Sequence, residues 1–194
     1  MGYTTDFQGV FTLNKKLTPK LQEYLKKFAN TRRMARKLPK KYGVEGEFYV
    51  DGGGMCGQDH EDSVIDYNHP PSTQPGLWCQ WVPTDDGMGI EWDGGEKFYH
   101  YVEWLQYIVS NFLEPKGYVL NGTVSWHGED SDDVGVIKVE DNVIHTYDGI
   151  FKLADDVRVH NAVESIAAIV GHKLDDSVRE ELAEYVRDVL NGQQ

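Results

Sequence analysis

An α+β fold, one antiparallel sheet with helices on one of its faces, is what this 194-residue sequence predicts, and three observations predict it. Stretches of period-2 hydrophobicity alternate with two stretches of helical period, in the order strand, helix, strand, strand, helix, strand. All five tryptophans, Trp78, Trp81, Trp92, Trp104 and Trp126, fall within residues 77–126, which marks that segment as the centre of the core. Between the first helical stretch and that segment lie residues 38–76, whose glycines and prolines exclude a helix and read as an irregular insertion.

Tyr3, Thr5, Phe7, Phe11 and Leu13 share one parity with Gly9 among them, the pattern of a half-buried strand that bends or bulges at the glycine. Thr18-Pro19 then starts a helix, because the threonine caps open amides and proline loses nothing at the first helical position. Leu21, Tyr24, Leu25 and Phe28 follow at helical spacing, with Lys20, Lys26 and Lys27 outward and fraying expected over residues 30–36. Residues 47–50 and 63–67 are candidate short strands inside the insertion. A structureless loop of that length is uncommon in a compact domain, so the insertion is expected to be ordered and to cover something.

Residues 77–82 and 89–92 read as a hairpin around Asp85-Asp86-Gly87. A helix from about 95 to 112 then sets Phe98, Tyr101, Val102, Leu105, Ile108, Val109 and Phe112 along one stripe, and Pro115 and Gly117 stop it. Asp93-Gly94-Gly95-Glu96 at its start admits two readings: a cap completed by Glu96, or glycines that let a ligand approach the amides with Glu96 as an acid or base. Tyr118, Leu120, Val124 and Trp126 face one way along the next strand, and Asn121, Thr123 and Ser125 the other. After the acidic turn of Glu129, Asp130, Asp132 and Asp133, a second hairpin, 136–140 with 143–147, reverses at Asp141-Asn142. The order is that of the split βαβ, ferredoxin-like arrangement with an added hairpin. Residues 1–153 are thus expected to form this domain, and 154–194 a C-terminal helical hairpin. Its helices are 162–170, ended by Gly171, and a final one capped by Asp176 or Ser177 that carries Val178, Leu182, Tyr185, Val186 and Val189.

A hydrophobic share of 40% with 12% aromatic residues excludes a disordered chain. The net charge of −13 is unevenly spread. Residues 15–41 carry 11 of the 19 lysines and arginines and a single acid, Glu23, so that segment is +10; the remainder, with 8 bases and 31 acids, is −23. Two faces of opposite sign are expected. An acidic protein repels a long polyanion, which argues against duplex nucleic acid as a partner. Cys56 and Cys79 form no motif, and without a signal-peptide pattern the expectation is a reducing, cytoplasmic setting. The apolar runs fall well short of the roughly 20 residues a membrane span needs.

The runs Thr31-Arg32-Arg33-Met34, Pro71-Ser72-Thr73-Gln74-Pro75-Gly76-Leu77-Trp78-Cys79-Gln80-Trp81, Trp92-Asp93-Gly94-Gly95-Glu96-Lys97-Phe98-Tyr99 and Gly117-Tyr118-Val119-Leu120-Asn121-Gly122 together resemble a group of small proteins found in bacteriophages and bacterial genomes. More distantly, a tryptophan-rich hairpin followed by helix and strand is similar to the YubB-type ferredoxin-like domain of phage proteins. The resemblance spans roughly residues 1–150 and leaves the tail uncovered. It implies a phage or prophage setting inside a bacterial host cell, and it brings no catalytic residue with it.

Chemistry is expected from two groups of residues. Arg32, Arg33 and Arg36, with Lys37, Lys40 and Lys41, lie at and beyond the first helix end, where guanidinium forks hold phosphate oxygens; a solvated basic face paired with the protein's own acids is the alternative. Trp78, Gln80, Trp81 and Trp92 occupy both parities of the hairpin, so at least one tryptophan should leave the helix-covered face, to stack on a base or to pack under the insertion. Gln80 beside it is suited to a base edge. Asp59-His60-Glu61-Asp62 with His69, and His127 with Glu129 and Asp130, have metal-binding content without metal-binding spacing, so no metal and no cofactor is expected. Asp51-Gly52-Gly53-Gly54 lacks the ending of a phosphate loop.

The leading expectation is a phage-associated binding protein that captures a nucleotide-like anionic ligand through Arg32, Arg33, Arg36, Trp78, Gln80 and Trp92, sequestering a host defence signalling nucleotide. One alternative is an acidic module that imitates nucleic acid and occupies a host enzyme's basic groove. Another is a nucleotide-processing hydrolase with Glu96, His60 or His127 as general base. A homo-oligomer fits the helical tail and the exposed aromatics.

Overall fold

Strand β1 (Thr5–Leu13) buries Thr5, Phe11 and Leu13 on one parity, half-buries Phe7, and leaves Gln8, Val10 and Thr12 exposed on the other. It is the centre of the sheet because both of its edges are paired, antiparallel in each case, to β5 (Gly89–Trp92) and to β6 (Leu120–Gly128). Gly9 makes the long pairing with β6 possible. Its φ is +121°, and a Cβ there would stand 2.6 Å from the Thr123 carbonyl oxygen.

The structure is a computed structural model that describes residues 2–50, 62–149, 163 and 176–190. The chain divides into two compact units, Met1–Thr146 and Tyr147–Gln194. Among the described residues the main sheet has six strands in the order β4-β5-β1-β6-β7-β8, where β4 is Trp81–Pro83, β7 is Val134–Glu140 and β8 is Val143–Asp148. The unit boundary falls inside β8. The fold is therefore α+β with an antiparallel sheet. The first hairpin pairs Trp81 directly with Trp92, and the second turns at Asp141 (φ 48°) and Asn142 (φ 71°), both left-handed as a two-residue hairpin loop requires.

Helix α1 (Pro19–Ala29) buries Leu21, Leu25, Phe28 and Ala29, and the Thr18 hydroxyl accepts from the Leu21 amide at 3.4 Å. It ends cleanly at Asn30, without the fraying expected over 30–36. The Thr31 hydroxyl donates to the Lys27 carbonyl at 2.7 Å, and the chain passes directly into β2 (Ala35–Arg36), which pairs with β3 (Val64–Asp66) in a small second sheet. The insertion is stitched down by Arg33 N–H to Leu77 O (2.8 Å), Ala35 N–H to His69 O (3.0 Å) and Lys37 N–H to Ser63 O (2.7 Å). Residues 47–50 are not a strand. A 3-10 turn at Val44–Gly46, with Glu45 left-handed at φ 50°, folds the backbone back on itself, and Phe48 N–H closes onto Tyr42 O.

Helix α2 (Tyr101–Ile108) starts six residues later than residue 95. Asp93 does not cap it: its carboxylate accepts the Gly95 amide at 2.8 Å and closes a turn, and Lys97 (φ 60°) and His100 (φ 56°) are left-handed, which no continuous helix accommodates. The loop gains in return the burial of Phe98 against Trp81 (5.4 Å between ring centres) and Phe7 (5.8 Å). Beyond Ile108 the helix widens into a π-turn at Val109–Leu113, then tightens through Glu114–Lys116 and stops at Gly117. Both helices cover the Phe7/Phe11 face of the sheet. Phe28 of α1 meets Trp104 (6.0 Å) and Tyr107 (6.1 Å) of α2, and Tyr101 reaches Phe7 (4.8 Å) and Trp126 (5.9 Å). In the second unit α3 (Asp176–Leu190) is the expected final helix; the expected helix 162–170 lies outside the described residues apart from Val163.

Candidate ligand-binding site

The arginines expected to meet one anion part company in the structure. Arg33 donates its amide to Leu77, which carries its side chain under the insertion, where it is 1% exposed. Its guanidinium lies 4.3 Å from the centre of the Phe28 ring and donates to the Tyr49 and Phe28 carbonyl oxygens; burial pulls its pKa down to about 10. Arg36 is likewise interior, donating to the Ser63 hydroxyl at 3.0 Å over the Tyr49 ring at 4.6 Å. These two side chains hold the insertion against the core. Arg32 alone of the three is partly exposed: its Nε donates to Tyr67 O at 3.1 Å, and its guanidinium stands 5.9 Å over the ring of Trp78.

A buried polar cluster completes that anchoring. Glu47 accepts from the Thr73 hydroxyl (2.6 Å), the Tyr107 hydroxyl (3.1 Å) and the Val44 amide (3.0 Å), while Gln74 Nε2 donates to Glu47 O (2.7 Å) and to the Tyr107 oxygen (3.1 Å). Burial raises the Tyr107 hydroxyl well above the ordinary tyrosine range and pushes Tyr24 up to about 12. Sequence reasoning missed Glu47 and Gln74, since a single acid and a single amide in a glycine-rich stretch give no local signal of burial.

Trp78 opens onto a cleft of about 520 Å³ between two loops, the end of the insertion (Asn68, Pro70, Pro75, Gly76, Leu77) and the segment before α2 (Glu96, Lys97, Tyr99, His100). Two of its lining residues, Lys97 and His100, are the left-handed non-glycine positions noted above, and strain of that kind is held at sites that position ligands. Gln80 does not face the cleft as a base reader. Its Nε2 donates to Glu96 O (2.9 Å) and its Oε1 accepts the Trp92 indole N–H (3.0 Å), so it braces one cleft loop from behind. Trp92 lines a separate, smaller cleft of about 340 Å³ with Lys26, Asn30, Val82, Asp85 and Asp93. The structure therefore joins Trp78 with Glu96, Lys97, Tyr99 and His100 in that cleft, sets Arg32 beside Trp78 without making it part of the lining, and leaves Arg33, Arg36, Gln80 and Trp92 outside.

Of the remaining candidates Glu96 lines the cleft, and several others are engaged elsewhere. Asp133 accepts from the Tyr3 hydroxyl (2.6 Å) and the Trp126 indole (3.1 Å), and Glu129 accepts the Thr4 amide (2.7 Å), so the acidic turn fastens the entry of β1. His127 is exposed on the face of β6 opposite Trp126, and Glu96 is exposed with its backbone oxygen taken by Gln80. His69 pairs with Asp66 at 2.9 Å. Cys79 is fully buried and burial pushes its thiol up to about 12, which makes it a poor nucleophile. Residues 51–54, Cys56, Asp59, His60 and Glu61 lie outside the described residues. Among the described residues no group of three or more His, Cys, Asp or Glu side chains is arranged to hold a metal ion, and no helix is long and apolar enough to cross a membrane. No protein family, no curated protein and no solved structure matches the chain.

Proposed function

We propose that this chain is a binding protein for a nucleotide-like anionic ligand, held in the cleft between the end of the insertion and the loop before α2. Trp78 and Tyr99 serve as aromatic surfaces, Arg32 and Lys97 as cations, and His100 as a further polar group. The observation that carries the reading is a cleft of about 520 Å³, large enough for a mononucleotide and walled by the rings of Trp78, Tyr99 and His100, with the Arg32 guanidinium next to it, 5.9 Å from the Trp78 ring. Arg33 and Arg36 contribute indirectly, by fixing the insertion whose end forms one wall.

Two further points belong to the same proposal. The run β4-β5-β1-β6, with α1 between β1 and β4 in sequence and α2 between β5 and β6, supports a ferredoxin-like split βαβ domain extended by the β7–β8 hairpin. The resemblance to phage proteins supports a phage or prophage setting in a host cytoplasm. Sequestering a host signalling nucleotide there needs a pocket and no reacting group.

Isothermal titration against cyclic dinucleotides, cyclic ADP-ribose isomers, mononucleotides and short oligonucleotides tests the reading. A nucleotide is expected to bind, with Trp78→Ala and Arg32→Ala each weakening it by about ten- to a hundredfold through lost stacking and charge. Absence of heat across the panel, or undiminished binding by both variants, overturns it.

A further inference from the structure

Trp104 stands on the first turn of α2 and is fully buried, packed against Phe28 and Tyr107, with its backbone amide donating to His100 O at 2.9 Å. Its indole Nε1–H, however, has no hydrogen-bond partner among the described residues. A buried indole donor ordinarily finds an acceptor, so an orphaned one calls for a reason. Its position supplies one. Gly76 and His100 both line the cleft, and a Cβ added at Gly76 would stand 3.5 Å from Trp104 Nε1 and 3.5 Å from His100 Cδ2. The unsatisfied donor thus lies just below the cleft floor, at the point where residue 76 has no side chain. Beside it is the His100 ring, exposed and making no hydrogen bond among the described residues.

We propose that this gap is an acceptor-reading subsite. A ligand seated against Trp78 presents a hydrogen-bond acceptor, a ring nitrogen or carbonyl oxygen on the edge of a purine base, across Gly76 to Trp104 Nε1, with the His100 ring swinging aside to admit it. The subsite rests on the reading of the cleft as a nucleotide site and deepens it into a choice between bases. An indole N–H only donates, so a base edge that offers an acceptor there is retained and one that offers a donor leaves two donors facing each other. Glycine at 76 is part of the device. A methyl group would meet its neighbours at ordinary contact distance, and Gly76 is not in the left-handed region, so alanine fits the fold while covering the donor.

The experiment follows the five indole N–H signals of the full-length, 15N-labelled protein during titration with AMP, GMP, cyclic di-AMP and cyclic di-GMP, the Trp104 signal being assigned by its loss in Trp104→Phe. Saturation by a bound nucleotide is expected to move the Trp104 signal downfield and slow its exchange with water. Gly76→Ala and Trp104→Phe are each expected to weaken binding about tenfold, Gly76→Ala without lowering the thermal midpoint. Should Trp104→Phe fold poorly, Gly76→Ala and the wild-type signal decide the matter. A nucleotide whose affinity falls in Trp78→Ala but which leaves the Trp104 signal and the Gly76→Ala affinity unchanged overturns the subsite and leaves the stacking cleft standing. Binding by none of the four overturns the subsite, and the cleft itself falls only if the wider titration panel is also silent.

Discussion

Arg33 shows how a residue's surroundings can reverse its meaning. A tandem Arg32-Arg33 reads as an anion site, but the amide of Arg33 is claimed by Leu77, 44 positions later, and that long-range bond draws the side chain inward. Nothing local in the sequence encodes it, and the partly exposed Trp78 likewise lies outside the strand expected over 77–82, because β4 begins only at Trp81. Arg33 has no carboxylate partner among the described residues, so its contribution lies in packing on Phe28 and in satisfying the Tyr49 carbonyl. Arg33→Ala is accordingly expected to cost about 2–4 kcal/mol, by cavity formation and an unpaired buried carbonyl. Arg33→Met keeps most of the volume and sheds the desolvated charge, and is expected to cost less than about 1.5 kcal/mol. Urea unfolding of the two variants checks this; equal losses would mean that the hydrogen bonds, and not the packing, dominate.

Elements defined by neighbouring residues were legible and those defined by distant ones were not. The Asp141-Asn142 reversal is a local matter of two left-handed residues. Asn142 adds two bonds of its own, accepting from the Leu120 amide at 2.7 Å and donating to Tyr118 O at 3.0 Å. Asn142→Ala is expected to destabilise by about 2–3 kcal/mol, through backbone strain plus both lost bonds, and Asn142→Gly by less, since glycine removes only the bonds. Thermal melts of the pair separate the two contributions. The start of α2 was the opposite case. Asp93-Gly94-Gly95-Glu96 suits a helix start and a turn equally well, and the burial of Phe98 among Phe7 and Trp81 decides for the turn. The cleft follows from that decision, because a helix beginning at 95 would leave no loop to form its second wall.

At the scale of the molecule, the core is closed around three groups that resist losing a proton. Burial raises Cys79 from 9.0 to about 12, Tyr24 from 10.0 to about 12, and Tyr107 further still. Each folded pKa lies above its unfolded value, so the unfolded chain releases protons first, and the stability these groups confer is intact below about pH 9 and lost as pH climbs toward 12. Arg33 acts in the opposite sense, with its folded pKa lowered, but is one group against three. Urea midpoints measured from pH 8 to 11.5 are expected to hold steady to about pH 9 and then fall; a flat profile would contradict the buried state of these side chains. In Cys79→Ala the decline is expected to begin nearer pH 10, where the tyrosines take over. The strand sequence and the helix-covered face were readable because periodicity reports which side of an element is dry. The burial of the insertion's polar residues was not, because it depends on Tyr107 arriving from another part of the chain.

The π-turn at Val109–Leu113 has a bearing on how this chain tolerates changes of length. Such a turn holds one residue more than its α-helical equivalent, and each residue of an α-helix advances the spiral by about 100°. Excising the exposed Ser110 is therefore expected to close the turn into regular α-helix with almost no change in the direction the following residues face. Phe112 would then keep its place against Phe28, Tyr24 and Phe48, and the strands downstream would enter in their present phase.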